Sequence, residues 1–490
     1  MNRHAAGAIA FLTSAAVLVM EIVASRLLAP YVGVTLQTYT AIIGVVLTGI
    51  SVGTWLGGRL ADRRAPSTLL GPVLIAGGAL VFLSLLFLRA AARALDGRSG
   101  PSAAVALVVS AFLLPSTVLS MVSPLLVKAT LVDLGRTGRE VGRISALGTA
   151  GAIVGTFVAG FVLVATIPSP VILFVVGAVL VVLGLAAWGR LRPMSGRFPL
   201  VVLLAAGASG ASMPRHHTPC DVETAYFCAS VYPDPSVANA RILQLDTLLH
   251  SEVDLTDDKH LIFEYTQAIG GAVDVTWPSL RAIDALHVGG GGFSMPRYVR
   301  ATRPGSTNLV IERDPALIKL GRERLGLKLG GGLTAKAMDG RVAVRNAASG
   351  SYDLVIGDAF GGEAVPWHLA TREFVSLVKR SLRPGAGLYA LNVIDGSPTK
   401  FARAEIATVA KVFPNVAVVA PAYAFAGQGA ANFIVLASSK PLDLDALKLR
   451  YQAVALDVEI RSGADLTKWV HGAKVLTDSF APVDQLLTVE

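Results

Sequence analysis

Ala285-Leu-His-Val288-Gly289-Gly-Gly-Gly292-Phe-Ser294 sets a glycine run directly behind a short apolar stretch. About twenty residues later comes Asn308-Leu-Val-Ile-Glu312-Arg-Asp314. The order is strand, glycine turn, helix, second strand ending in an acid, which is the layout of a nucleoside-binding α/β domain. Glycines let the backbone approach a ligand closely, and an acid at the tip of the second strand can accept hydrogen bonds from both ribose hydroxyls.

Upstream lie roughly two hundred very apolar residues. Of the 490 residues, 53% are hydrophobic and only 16% charged. The mean hydropathy is +0.59, so part of the chain is expected to face lipid. Six stretches have the length to cross hydrocarbon as helices: Ala5–Leu28, Tyr39–Gly58, Thr68–Leu88, Ala103–Val127, Ile144–Ile167 and Val171–Trp188. A seventh, Phe198–Met213, is short for a span. Arg3, Arg59, Arg63, Arg64, Lys128, Arg136, Arg139, Arg143, Arg190, Arg192 and Arg197 fall on one side of such a bundle, against Arg89, Arg93 and Arg98 on the other. That balance predicts a cytoplasmic N-terminus. Glu21 and Arg26 read as an interfacial pair near the end of the first span. The net charge of +9 is thus explained by membrane orientation, and no basic-aromatic stripe suggests nucleic acid.

The two cysteines, Cys220 and Cys228, just past the apolar half, are too few for a zinc site, and no metal is expected. They are either free thiols or a disulfide formed in an oxidising compartment.

From Pro214 the composition becomes ordinary, giving three expected domains: a transmembrane helical domain over 1–213, a small β-rich domain over 214–280, and an α/β domain over 281–490. Arg241–Asp246 is the clearest strand of the preface, and Asp257–Ile269 reads as a helix. Strands at Ala285–Val288, Asn308–Ile311, Asp353–Gly357, Gly387–Val393, Val416–Val419 and Phe433–Ala437 alternate with helices at Pro315–Leu325, Ala370–Leu382 and Lys400–Val412. The alternation predicts a mostly parallel sheet with ligands at the strands' carboxyl ends. Acids fall there: Glu312 for ribose, Asp339 for an adenine amino group before the third strand region, and Asp358 at the reacting end of the ligand.

Leu245-Asp246, the glycine turn, Glu312, Met338-Asp339-Gly340 and the Tyr352–Asp358 strand, in this order, resemble the spermidine synthase (polyamine aminopropyltransferase) family. Pro366–Phe374 and Leu476–Asp484 resemble its membrane-fused form. The resemblance runs from about Cys220 to Leu487 and implies a Rossmann-like methyltransferase fold behind a small N-terminal β-domain. It implies adenosyl contacts from Gly289, Gly290, Gly291, Glu312, Asp339 and Gly340, and a catalytic Asp358. Leu245, Tyr265, Gly292 and Glu363 are the pocket candidates. The substrate would be S-adenosylmethionine or its decarboxylated form, with methylthioadenosine released.

Two positions depart from the family pattern: Gly292 stands where an aspartate closes the glycine motif, and Gly361 where the loop after the fourth strand has a second acid. Loss of the first removes a carboxylate that would repel intact S-adenosylmethionine, and offers a backbone N–H instead. Three chemistries follow: methyl transfer, attack of an amine on the alkyl chain, or closure of the substrate's own carboxylate to a lactone. A transporter or sensor with a nucleoside-binding domain is the non-enzymatic alternative. The bilayer and a small-molecule substrate are the expected partners, with a homo-oligomer left open. Because sulfonium nucleosides are made in the cytosol, the cytoplasmic side is favoured for the catalytic half, though a seventh span and a cysteine pair point outward.

Overall fold

The computed structural model describes residues 2–95, 100–131, 133–189, 220–361 and 364–488, which form two compact units, Met1–Cys228 and Ala229–Glu490. The seventh apolar stretch, the basic residues at 190, 192 and 197, Arg98 and Glu363 lie outside the described residues.

In the first unit, six helices carry the six expected spans: α1 Arg3–Val32, α2 Leu36–Arg63, α3 Pro66–Leu95, α4 Pro101–Thr130, α5 Leu134–Thr166 and α6 Ser169–Gly189. Even α6, at 21 residues, is long enough for the hydrocarbon layer at 1.5 Å per residue. The helices overrun the apolar stretches because a helix continues to satisfy its own backbone beyond them. Met20, Val23, Leu28, Val46, Leu74, Phe112 and Leu125 are fully enclosed among them.

The two ends of this bundle differ in chemistry. At the N-terminal end, Glu140 takes both Arg3 (3.0 Å) and Arg143 (3.1 Å), and Lys128 meets Asp62 (3.0 Å). The other end holds the segment around strand β1, Val222–Glu223. There Arg26 donates to the carbonyls of Thr224 and Phe227, and the N–H of Ser169 donates to Glu223 Oε2 at 3.0 Å. Arg26 therefore answers to Glu223 (4.0 Å) rather than to Glu21. Cys220 and Cys228 form a disulfide at this end, which settles the alternative left open by their spacing.

In the second unit, β2 Cys228–Pro233, β3 Ala240–Leu245 and β4 Leu248–Asp254 make an antiparallel meander. Helix α7, Glu264–Thr276, begins later than the sequence suggests. Asp254 and Asp257 use their carboxylates on backbone N–H groups of Thr256 and Lys259, which favours turns over an earlier helix start.

Then follow β5 Asp284–Val288, α8 Ser294–Thr302, β6 Thr307–Glu312, α9 Pro315–Arg324, β7 Leu333–Ala337, α10 Gly340–Asn346, β8 Leu354–Gly357, α11 Arg372–Ser381, β9 Leu388–Asp395, α12 Lys400–Ala410, β10 Asn415–Ala420, β11 Ala431–Ser438 and β12 Glu459–Ser462. The sheet order is β12-β10-β11-β9-β8-β5-β6-β7, parallel from β9 through β7 and antiparallel at the other edge. This is the Rossmann-like methyltransferase arrangement. Central strands are apolar on both faces because both are covered. Val288 and Val355 pack with Phe374, Val378 and Phe401 of α11 and α12, while Ala285, Leu354 and Ile356 pack with Ile269, Val273 and Val299 of α7 and α8. The third strand, Leu333–Ala337, precedes Asp339, so that acid closes a strand rather than leading into one.

Candidate active site

Parallel register determines where the site forms. Val288 lies opposite both Ile311 and Gly357, so the next residues, Gly289, Glu312 and Asp358, emerge together at the carboxyl edge. Gly289 has φ +105°, and a Cβ there would sit 1.9 Å from the carbonyl oxygen of Asp358, so only glycine fits. The N–H of Gly290 donates to Glu312 Oε2 and that of Asp314 to Oε1, both at 2.9 Å. Each oxygen keeps a lone pair for another donor, which suits the paired hydroxyls of a ribose. Burial pushes the Glu312 carboxyl up, partly offset by the N–H groups of Asp314 and Gly290.

The acid of the next strand is adjacent, since the N–H of Met338 donates to the carbonyl of Glu312 at 3.1 Å. Asp339 caps α10, with Oδ1 accepting from the N–H of Val342 (3.1 Å) and Oδ2 2.9 Å from His368 Nε2. Burial works against its ionisation, but the N–H of Val342 and the His368 imidazole outweigh it, and its carboxyl is held below the ordinary range. Gly340 serves packing: a Cβ there would lie 2.5 Å from Val288 Cγ1.

Asp358 faces a cavity of about 250 Å³ lined by Leu248, His250, Tyr265, Phe360, Asn392 and Asn432, among others. Tyr265 Oη donates to Asp358 Oδ2 at 3.1 Å, and Asn392 Nδ2 donates to Oδ1 at 2.9 Å. Asn432 Nδ2 in turn donates to Asn392 Oδ1 at 2.8 Å, fixing the amide's orientation. Burial raises the carboxyl to about 6, against the pull of Asn392 and Tyr265. Asp358 is thus mostly ionised at neutral pH yet able to take a proton. The same enclosure lowers the His250 imidazole to about 4, so it is neutral there.

Of the pocket candidates, Tyr265 lines the cavity, but Leu245 does not: it is 1% exposed in β3, and Leu248, Leu249 and His250 of the following strand take that place. A hairpin turn separates the two positions, and an apolar strand residue can face core or ligand with the same sequence pattern. Gly292 is buried as well. Its N–H is not free for a ligand, because it donates to Ser251 Oγ at 2.8 Å. Asn392 and Asn432 were missed, since each sits within a strand that reads simply as core. Among the described residues, no three histidines, cysteines or acids are grouped to hold a metal ion.

No family model matches the chain. A polyamine aminopropyltransferase of Vibrio vulnificus (strain CMCP6) is 28% identical over 214 residues, covering 41% of this chain and 69% of the relative. The second unit is spermidine synthase-like. Solved structures similar to the chain include a probable spermidine synthase from Corynebacterium glutamicum ATCC 13032 (25% identity, TM-score 0.48, covering 53% of this chain and 95% of that one). Another is the spermidine synthase from Thermotoga maritima (18%, 0.35, covering 44% and 70%). The glycine turn, Glu312, Asp339 and Asp358 of this unit share one edge of the sheet, the carboxyl edge at which the alternation of strands and helices predicts a ligand.

Proposed function

We propose that this protein is a membrane-bound transferase that moves the three-carbon chain of an adenosyl sulfonium, releasing methylthioadenosine. Decarboxylated S-adenosylmethionine is the donor suggested by the kinship to a polyamine aminopropyltransferase. The observation that carries the reading is Asp358: one carboxylate at the strand tip, held by Tyr265 and Asn392, in a cavity with no other charged side chain among the described residues that line it.

The sulfonium is already a good leaving group, so the protein need only align the reactants and manage one proton. An amine nitrogen attacks the carbon next to sulfur, the C–S bond breaks, and sulfur leaves as a neutral thioether. Before attack Asp358 takes one proton from the acceptor's ammonium and so frees the nitrogen lone pair; the product keeps its remaining protons as a secondary ammonium. Glu312 and Asp339 would hold ribose and adenine while this happens.

Separately from the chemistry, we propose that the Cys220–Cys228 segment of the first unit lies on the oxidising side of the membrane, opposite the cytoplasmic side favoured from sequence. Its support is that the disulfide lies at the end of the helical bundle opposite the basic loops.

The test is to incubate the full-length protein separately with intact and decarboxylated S-adenosylmethionine, with and without amines, and to identify products by mass. Methylthioadenosine supports the proposal. S-adenosylhomocysteine would replace it with methyl transfer, and intact ligand recovered from a tight complex would replace it with a sensor or transporter.

A further inference from the structure

Two stretches that stand out in the sequence, Pro366–Phe374 and Leu476–Asp484, supply none of the groups used above. They meet beside Asp339. The N–H of Arg372 donates to the carbonyl of Leu476 at 2.9 Å, and that of Asp478 to Glu373 Oε2 at 3.0 Å. Asp478 then pairs with Arg341, in the first turn of α10, through both guanidinium Nη atoms. Thr371 Oγ1 donates to the same carboxylate at 2.7 Å.

Arg341 Nη1 also donates to the carbonyl of His368 at 2.9 Å, which fixes the main chain of the short turn Trp367–Leu369. Half-exposed Trp367 meets the His368 imidazole edge-on, with ring centroids 5.8 Å apart. The imidazole is directed at Asp339, Nε2 lying 2.9 Å from Oδ2. That carboxyl is held below its ordinary range and is ionised, so Nε2 carries the proton and donates it. The N–H of Val342 occupies the other oxygen at 3.1 Å. One donor on each oxygen holds the plane of the carboxylate, and each oxygen keeps a lone pair for a further donor.

An ionised carboxylate held in this way tells two purines apart. Adenine offers it an N–H of the exocyclic amino group. Hypoxanthine has a carbonyl oxygen there, whose lone pairs face those of the carboxylate. A carboxylate already turned toward the ligand loses little freedom on binding, whereas one left to rotate must be ordered by the ligand itself.

Resting on the reading that this edge of the sheet holds an adenosyl group, we infer that His368 is a positioning residue: it holds the Asp339 carboxylate toward the amino group of adenine, and the Arg341–Asp478 pair holds His368. The two stretches together thus set selectivity for an aminopurine nucleoside over an oxopurine one.

The experiment titrates full-length protein in nanodiscs with methylthioadenosine and with methylthioinosine, which has oxygen in place of the amino group, and follows melting of each variant alongside. The native protein should prefer methylthioadenosine by about a hundredfold or more. His368→Ala should weaken methylthioadenosine by about tenfold and leave methylthioinosine within about twofold, so that the preference itself falls. His368→Gln, whose amide N–H reaches the same place, should restore most of the preference. Asp478→Asn should lower it in the same direction by a smaller factor. Equal losses for both nucleosides in His368→Ala would make His368 a packing residue and overturn the inference, as would an unchanged preference. Should His368→Ala be unfolded at the titration temperature, His368→Gln and Asp478→Asn decide by the same criteria. Equal affinity of the native protein for both nucleosides overturns the inference, while methylthioadenosine released from the decarboxylated donor would still uphold the transfer. Binding of neither nucleoside, together with no methylthioadenosine formed, overturns both.

Discussion

The Tyr265 hydroxyl donates to Asp358 Oδ2 at 3.1 Å, across 93 positions of sequence, and so joins the helix after the β-meander to the tip of β8. The phenol stabilises the carboxylate against the burial that raises it to about 6. Removing it in Tyr265→Phe should move the Asp358 pKa further up. The acid limb of the pH–rate profile, expected near pH 6 in the native protein, should then shift toward neutrality, with a loss of about two- to tenfold at pH 7. Turnover measured from pH 5 to 9 checks this. An unmoved acid limb would show that Asp358 does not set it.

Asp358→Asn should separate activity from stability. Turnover is expected to fall by about 10²- to 10⁴-fold, because the amide cannot take the proton. The fold should gain. A carboxyl raised above its unfolded value binds its proton more tightly when folded, so its favourable contribution is present below about pH 4 and is lost as pH rises through about 6. At pH 7 the native protein therefore holds an ionised group in an unfavourable place. The neutral amide should relieve about 1–2 kcal/mol of this, after allowing for water in the cavity. Melting of both proteins at pH 4.5 and pH 7 tests the sign: the variant's advantage should appear only at the higher pH.

Glu312→Ala should weaken binding of methylthioadenosine by about ten- to hundredfold, since it removes the acceptor for two sugar hydroxyls and leaves the N–H groups of Gly290 and Asp314 without their partner. Calorimetric titration reads it directly. Glu312→Gln, which keeps the shape and one acceptor, should lie between the two. Equal affinity in all three proteins would remove Glu312 from the binding site.

Residues whose chemistry is tied to a strand tip were legible in the chain. The glycine turn, Glu312 and Asp358 each follow a short apolar run, and a parallel sheet brings such positions to one edge whatever the details of packing. Tyr265 was legible only as a candidate equally compatible with core packing, because it opens a helix and nothing in the chain says what its phenol faces. Asn392 and Asn432 were not, because a polar residue inside a buried antiparallel pair is indistinguishable from its neighbours until β9 and β11 are placed side by side. The start of α7 was misread because Asp254 and Asp257 supply turn hydrogen bonds that compete with helix. Leu245 was misread because which of two successive strands lines a cavity depends on the hairpin and its bulge at Leu243 and Gln244.

Gly292 illustrates a departure that cannot be reversed by a single change. A Cβ at this position would lie 2.7 Å from Ser251 Cβ and 2.8 Å from Val253 Cγ2, both in the β-meander. Gly292→Asp should therefore destabilise by about 1–3 kcal/mol through overpacking, and should not raise activity with the decarboxylated donor. The combination with Ser251→Gly and Val253→Ala should recover much of the lost melting temperature. If the single variant folds as well as the native protein, the meander is more yielding than its packing implies.

The disulfide bears on which side of the membrane the site faces. Cys220 and Cys228 are joined at the bundle end where Arg26 and Ser169 hold the intervening segment, away from the Arg3–Glu140 and Lys128–Asp62 pairs. With the end that carries the basic loops proposed as cytoplasmic, the bridge is expected on the opposite, oxidising side. In intact cells both cysteines should resist a maleimide until a membrane-impermeant reductant is added outside, and should then react with an impermeant maleimide. Closing a loop of this length contributes about 2–3 kcal/mol, so Cys220→Ala/Cys228→Ala should lower the melting temperature without touching the cavity residues around Asp358. Labelling in intact cells before reduction would mean free thiols. Labelling only after lysis would put the segment, and the chain that continues from Ala229, on the cytoplasmic side.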